Sequence, residues 1–128
     1  MIGDGEQVRL GMPATPELLR VARLTAAGLA SRLGFSFDEV EDVKIAVDEL
    51  CFALVGTKGR EGTLTLVYQL QADSLVIEGT GDFPGQDVRA TTGELSTLIL
   101  SAVVDSHEVT DGDGTVRFKL TKRRSPRP

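Results

Sequence analysis

The alternation of apolar and polar positions predicts strands and helices in a definite order. From Gln7 to Met12, Val8, Leu10 and Met12 alternate with Gln7, Arg9 and Gly11, the period of a half-buried strand. Ala14-Thr15-Pro16-Glu17 then reads as a helix start: Thr15 is the cap, Pro16 takes the first helical position and Glu17 complements the helix dipole. Leu18, Ala22, Thr25, Leu29 and Leu33 recur at helical spacing, and Gly34 is the expected stop. Ser36 and Glu39 have the spacing of a capping box. The second helix that follows carries a stripe of Val40, Val43, Val47, Leu50 and Leu54, widened by Ala46 and Cys51.

After a loop from Gly56 to Gly62, Thr63 to Gln71 and Leu75 to Glu78 read as two strands around a tight turn at Ala72-Asp73-Ser74. Gly79 to Gly85 is a glycine-rich loop, and Glu94 to Val104 a third, mostly buried helix. Glu108 to Thr110 and Gly114 to Leu120 form a hairpin around Asp111-Gly112-Asp113-Gly114, with Val116, Phe118 and Leu120 facing inward. The order β-α-α-β-β-α-β-β predicts an α+β fold, a two-layer α/β sandwich with helices on one face of a mixed sheet. One domain is expected over residues 7–122, after a flexible lead-in of residues 1–6 and before a disordered basic tail of residues 123–128.

Composition narrows the function classes. A length of 128 residues suits one domain, and 41% hydrophobic with 26% charged residues is ordinary for a globular protein. A net charge of −5 argues against a phosphate-backbone binder, and the absence of Trp argues against an aromatic stacking surface for single strands. Direct nucleic-acid binding is therefore not expected. The single cysteine, Cys51, lies in the apolar helical pattern and reads as a buried hydrophobe, so neither a disulfide nor a metal site is expected. His107, the only histidine, precedes a strand with no second ligand near it in sequence. With no signal-peptide pattern and no apolar run near the ~20 residues of a membrane span, a cytoplasmic protein is expected.

The first half of the chain resembles the anti-sigma-factor serine/threonine-kinase family (RsbW/SpoIIAB-like) of the GHKL, or histidine kinase-like ATPase, superfamily. The matching stretches are Met12-Pro13-Ala14, Ala22-Arg23-Leu24-Thr25, Ala30 to Phe35, the acidic run Asp38 to Asp42, and Lys44-Ile45-Ala46-Val47-Asp48-Glu49-Leu50-Cys51. A weaker likeness continues to Lys122. The resemblance implies a Bergerat-type fold, and places Glu49 where the family has its general base. Four residues on, the family holds magnesium with an Asn; here Ala53 stands there, without an oxygen to offer a hard cation. The family's adenine-binding Asp falls on Gly79 when Gly81 and Phe83 are aligned, and of the phosphate-cradling glycine pair only Gly93 remains, followed by Glu94 and Leu95. Glu49, Gly79, Gly81 and Gly93 are thus the candidate residual nucleotide pocket, with Glu49 a vestigial base, ATP or ADP with magnesium the ligand if any, and no metal site of the chain's own. Taken alone, Glu49 reads equally as a solvated helix acid and the glycines as turn residues.

The resemblance also implies that Arg23, with Glu17 and Arg20 on the same helix, contacts protein partners; the plain alternative is a solvated helix cation. The expected function is an anti-sigma factor that sequesters a sigma factor, is countered by a STAS-type anti-anti-sigma protein, binds ATP weakly or not at all, and pairs as a homodimer through the first strand and helix. The alternatives are an active ATP-dependent serine kinase phosphorylating the anti-anti-sigma factor, and a divergent regulatory domain with another protein partner.

Overall fold

The computed structural model describes residues 6–90, 92–112 and 114–126. In chain order the elements are β1 (Glu6–Pro13), one 3-10 turn (Pro16–Leu18), α1 (Leu19–Arg32), α2 (Phe37–Val55), β2 (Thr63–Leu70), β3 (Ser74–Asp82), α3 (Glu94–Val103), β4 (Ser106–Gly112) and β5 (Thr115–Arg123). The five strands form one sheet in the order β1-β2-β3-β5-β4. This is the expected α+β two-layer arrangement, in which α1, α2 and α3 cover one face.

The sheet is antiparallel in every pairing, not mixed. The reason lies in the connections. The α1–α2 hairpin returns the chain to the end it left, so Pro13 pairs with Thr63. The crossover through α3 makes β4 run in the direction of β3, but β5 inserts between the two and pairs antiparallel with both.

Local chemistry accounts for the helix ends. Thr15 occupies the cap position before Pro16 without making a side-chain cap bond, and the helix begins as a 3-10 turn. At the other end of α1, Gly34 takes φ +86°, and the Gly34 and Phe35 amides donate to Ser31 and Ala30 carbonyls, a Schellman closure. The capping box forms as read: the Glu39 amide donates to Ser36 Oγ, and Glu39 Oε1 accepts from the Ser36 amide at 2.8 Å.

Alternate residues of the sheet meet the helices. Leu64, Leu66, Tyr68 and Leu70 of β2 and Val116, Phe118 and Leu120 of β5 are buried against Val43, Val47, Leu50 and Leu54 of α2. On α1 the buried stripe is Leu19, Ala22, Ala26 and Ala30, shifted from the expected one; Thr25 is half-buried and its hydroxyl donates to the Val21 carbonyl. Small residues there let α1 lie close, and the fully buried Tyr68 hydroxyl donates to the Ala22 carbonyl at 2.9 Å, tying β2 to α1. Cys51 is fully buried beside this seam, as read, and burial pushes its thiol pKa up.

Two further expectations change. α3 is not mostly buried: only Leu100 is, because the helix lies at the side of the layer, against α2 and β4, and leaves Leu95 and Leu98 in solvent at 71% and 68% exposure. Nor is the chain irregular from residue 123. Arg123 belongs to β5, and Arg124 and Ser125 fasten back onto the α1–α2 turn. Arg124 donates to the Leu33 carbonyl, and the Ser125 amide and hydroxyl both donate to Glu39 Oε2 at 2.7 Å. At the other end Glu6 already belongs to β1; residues 1–5 and 127–128, on which the remaining end expectations fall, lie outside the described residues.

Burial works to raise the Glu39 carboxyl, but hydrogen bonds from Ser36 and Ser125 outweigh it and hold the pKa at about 2, below its ordinary 4.5. A lowered folded-state value means stability that is complete above pH 4.5 and drains away as the pH falls toward 2. Urea denaturation across that window should show the wild type losing its margin over Glu39→Gln; a margin independent of pH would mean that the ionised carboxylate is not what these bonds hold.

Candidate functional site

α2 places Glu49 and Ala53 one turn apart on the side that faces α3. Glu49 is half-buried, and its Oε2 accepts a hydrogen bond from Ser96 Oγ at 2.7 Å. Ser96 lies in the first turn of α3, so the acid that sequence comparison marks as a base is engaged by the neighbouring helix. The Gly93 cap of α3 has extended φ and ψ and open space at its Cβ position.

Gly79 and Gly81 both lie on β3 and face the helix layer, opposite Phe118 and Val116 of β5. They do not border an open pocket. A Cβ built at Gly79 would stand 2.2 Å from the ring of Phe118, and one at Gly81 2.6 Å from the ring of Phe83, both closer than real contacts allow. Both rings are buried, Phe83 at 0% and Phe118 at 2% exposure. Each glycine is therefore the seat of an aromatic ring, the arrangement by which a neighbouring aromatic covers a bare stretch of strand. A base brought to this strand would have to displace a buried Phe, a loss of contact worth about 3–5 kcal/mol. A cleft of about 660 Å³ opens elsewhere, between the loop after β3 and the β4–β5 turn, and none of Glu49, Gly79, Gly81 or Gly93 lines it.

At the positions that the resemblance marks for a magnesium nucleotide, the side chains offer few ligand groups. Ala53 has no oxygen, Gly79 has no carboxylate for an amino group, and Glu94 brings a negative charge beside Gly93. Among the described residues no group of three or more His, Cys, Asp or Glu is placed to hold a metal ion.

The second set of candidates lies on the 3-10 turn and the start of α1. Glu17 and Arg20 are exposed, but Arg23 is not a free cation: its Nη1 lies 3.0 Å from Asp48 Oδ2 of α2, with both side chains 32% exposed. Around them Val21 and Leu24 stand in solvent at 40% and 58% exposure, an apolar pair beside the charges. His107 does not precede a strand but lies within one, the edge strand β4. Sequence reasoning missed the partners of these residues: Ser96 for Glu49, Asp48 for Arg23, and the two rings for the two glycines. The Phe118 pairing alone had a signal, since the inward alternation of β5 was readable, but only the β3–β5 register sets Phe118 opposite Gly79.

A family profile described as the histidine kinase-like ATPase domain matches residues 12–120. The serine-protein kinase RsbW of Halalkalibacterium halodurans is 31% identical, over 91% of this chain and 83% of that protein. The protein of the same name from Bacillus cereus is 40% identical over 56% of this chain and 46% of its own length. The chain thus spans about half the length of the Bacillus relatives it matches. A crystal structure of RsbU and RsbW domains from Mycobacterium tuberculosis aligns with a TM-score of 0.71 at 16% identity, covering 93% of this chain and 32% of that one, which is a likeness of fold. The chain belongs to the histidine kinase-like ATPase domain family and, within it, to the RsbW/SpoIIAB-like anti-sigma-factor kinases.

If Gly79 serves as the seat of Phe118, Gly79→Ala should cost about 1–3 kcal/mol through overpacking. Gly93→Ala, where a Cβ meets nothing, is the control and should change little. Urea midpoints of the two variants check this, and equal effects would remove the ring-seat account.

Proposed function

We propose that this chain works as a protein-binding member of its family, an anti-sigma factor that sequesters a sigma factor and binds nucleotide weakly or not at all. The observation that carries the reading is the filling of the glycine-rich side of the fold by protein: Phe83 and Phe118 lie on Gly81 and Gly79, while Ser96 holds Glu49. Sequestration needs a shaped surface with a few anchor residues rather than hydrolysis. The 3-10 turn and the outer side of α1 supply charges at Glu17, Arg20 and Arg23 and exposed apolar area at Val21 and Leu24. On this reading a STAS-type anti-anti-sigma protein competes for that surface, the molecule pairs as a homodimer through β1 and α1, and it acts in the cytoplasm. Release of the sigma factor then rests on competition, without phosphorylation.

One observation favours a second reading, the active serine kinase: the relatives matched are named serine-protein kinases, and Glu49 keeps the acid at the position of the base. Titration calorimetry with Mg-ATP and Mg-ADP separates the two. No heat and no thermal shift at millimolar nucleotide is expected; micromolar binding would sink the first reading in favour of the kinase.

The role of α1 has its own check. Arg23→Ala and Asp48→Ala both break the same half-exposed ion pair, which should cost less than about 1 kcal/mol in either case. Sigma-factor binding should fall with Arg23→Ala and persist with Asp48→Ala. Equal affinities for both variants would remove Arg23 from the interface.

A further inference from the structure

Ser125 is exposed, yet it fastens the chain beyond β5 to the helix layer. Its amide and its hydroxyl both donate to Glu39 Oε2, each at 2.7 Å. The other anchors lie upstream of it. The Arg124 amide donates to the Asp73 carbonyl and Arg124 Nη1 to the Leu33 carbonyl, while Lys122 bridges Asp42 and the Val103 carbonyl. Arg123 is the last residue paired in the sheet. Among the described residues, Ser125 and Pro126 make no hydrogen bond other than the two to Glu39.

This hold is sensitive to charge at the serine oxygen. The Glu39 carboxyl, with its pKa at about 2, is an anion at neutral pH and can only accept. A phosphate on Ser125 Oγ would remove the donor and set a group of charge near −2 beside that anion. The lost proton and the repulsion of like charges act in the same direction. Glu39 is not free to turn away, because its Oε1 accepts from the Ser36 amide in the capping box at 2.8 Å. Nor does the neighbouring cation compensate. Arg124 Nη1 is engaged by the Leu33 carbonyl, and Arg124 Nε is buried without a hydrogen-bond partner among the described residues. An unpartnered buried donor already weighs against the docked form.

The sequence around Ser125 suits an enzyme that adds phosphate. Lys122, Arg123 and Arg124 precede it, and Pro126 and Arg127 follow, a basic stretch in a chain of net charge −5. An acidic substrate groove selects such a stretch by charge. Arg124 to Pro126 belong to no helix or strand, so the acceptor can enter another enzyme's active site without the sheet opening.

We propose that Ser125 is a phosphorylation site and that its phosphate unlatches the segment from Glu39. A protein kinase that reads basic flanks would carry the γ-phosphoryl group of ATP to Ser125 Oγ. The bond to the ADP oxygen breaks, the Oγ–P bond forms, and the hydroxyl proton passes to the kinase's base and on to water. Release begins at Ser125, since Arg123 stays in β5 and the Arg124 amide stays on Asp73. It takes the strap off the α1–α2 turn. The inference does not depend on nucleotide binding by this chain or on any sigma factor.

Two measurements test it. First, the full chain is isolated with phosphatase inhibitors from the cells that make it and mapped by mass spectrometry. Phosphate on Ser125 is expected; none there in any growth phase, or phosphate on other residues only, would overturn the assignment. Second, phosphoserine is placed at position 125 of the full chain by genetic encoding, and exchange of the Ser125 amide with water is followed by NMR. Its protection should fall at least about threefold against the unmodified chain, with β5 amides unchanged as the check on the fold. In Glu39→Gln, where the opposing charge is gone, the phosphate should add little further loss. An equal loss in both backgrounds, or no loss in the wild type, would overturn the latch. Neither readout involves nucleotide or sigma-factor binding, so its failure is distinct from failure of the proposed function.

Discussion

The burial of α2 against the sheet is the contact on which the other layers rest. Its inner stripe of Val43, Ala46, Val47, Leu50 and Leu54 is removed from water, and this helix meets α1 on one side and α3 on the other. Apolar burial of this kind is the main favourable term in folding, at about 25 cal/mol per Å². Because α2 sits between its neighbours, the residues on its two flanks become the joints of the helix layer. Asp48 joins α1 through Arg23, and Glu49 joins α3 through Ser96. Two adjacent acids on one helix thus face opposite neighbours, since consecutive helical residues point about 100° apart.

Most of the architecture was legible because its causes are local. The capping box at Ser36 and Glu39, the stop at Gly34 and the inward alternation of β5 each depend on a few neighbouring residues, and each stands where it was read. What was not legible depends on register and on partners distant in sequence. The antiparallel sheet follows from β5 inserting between β3 and β4, a pairing that no local pattern states. α3 has the apolar content of a buried helix, yet only Leu100 is covered, because its place at the side of the layer gives it little to lie against. The Arg124 and Ser125 bonds were hidden because the tail's composition reads as solvated, while the Leu33 carbonyl and the Glu39 carboxylate that take those bonds are ninety-one and eighty-six positions away.

The candidate site was legible in its residue types and not in their use. Glu49, Gly79 and Gly81 occupy the positions that the family resemblance marks, but the sequence does not show that aromatic rings occupy the space above both glycines. A glycine in a strand signals close approach of something; whether that something is a ligand or a side chain of the same molecule is settled by the register of the next strand. Here it is Phe118, brought opposite Gly79 by β5.

The sheet order has a consequence for how the molecule is made. β5 is synthesised after β4, yet it is β5 that joins β3 to β4. Without β5, the pairings left would be those of β1, β2 and β3, with β3 as an open edge, and β4 would have no strand neighbour. That open edge carries Leu75, Val76 and Ile77, all buried in the finished fold. An unpaired, apolar strand edge is the usual template for adhesion between chains. A nascent chain stalled before Thr115 would therefore expose a sticky flank, and closure of the sheet is a late event in which one strand silences two edges at once.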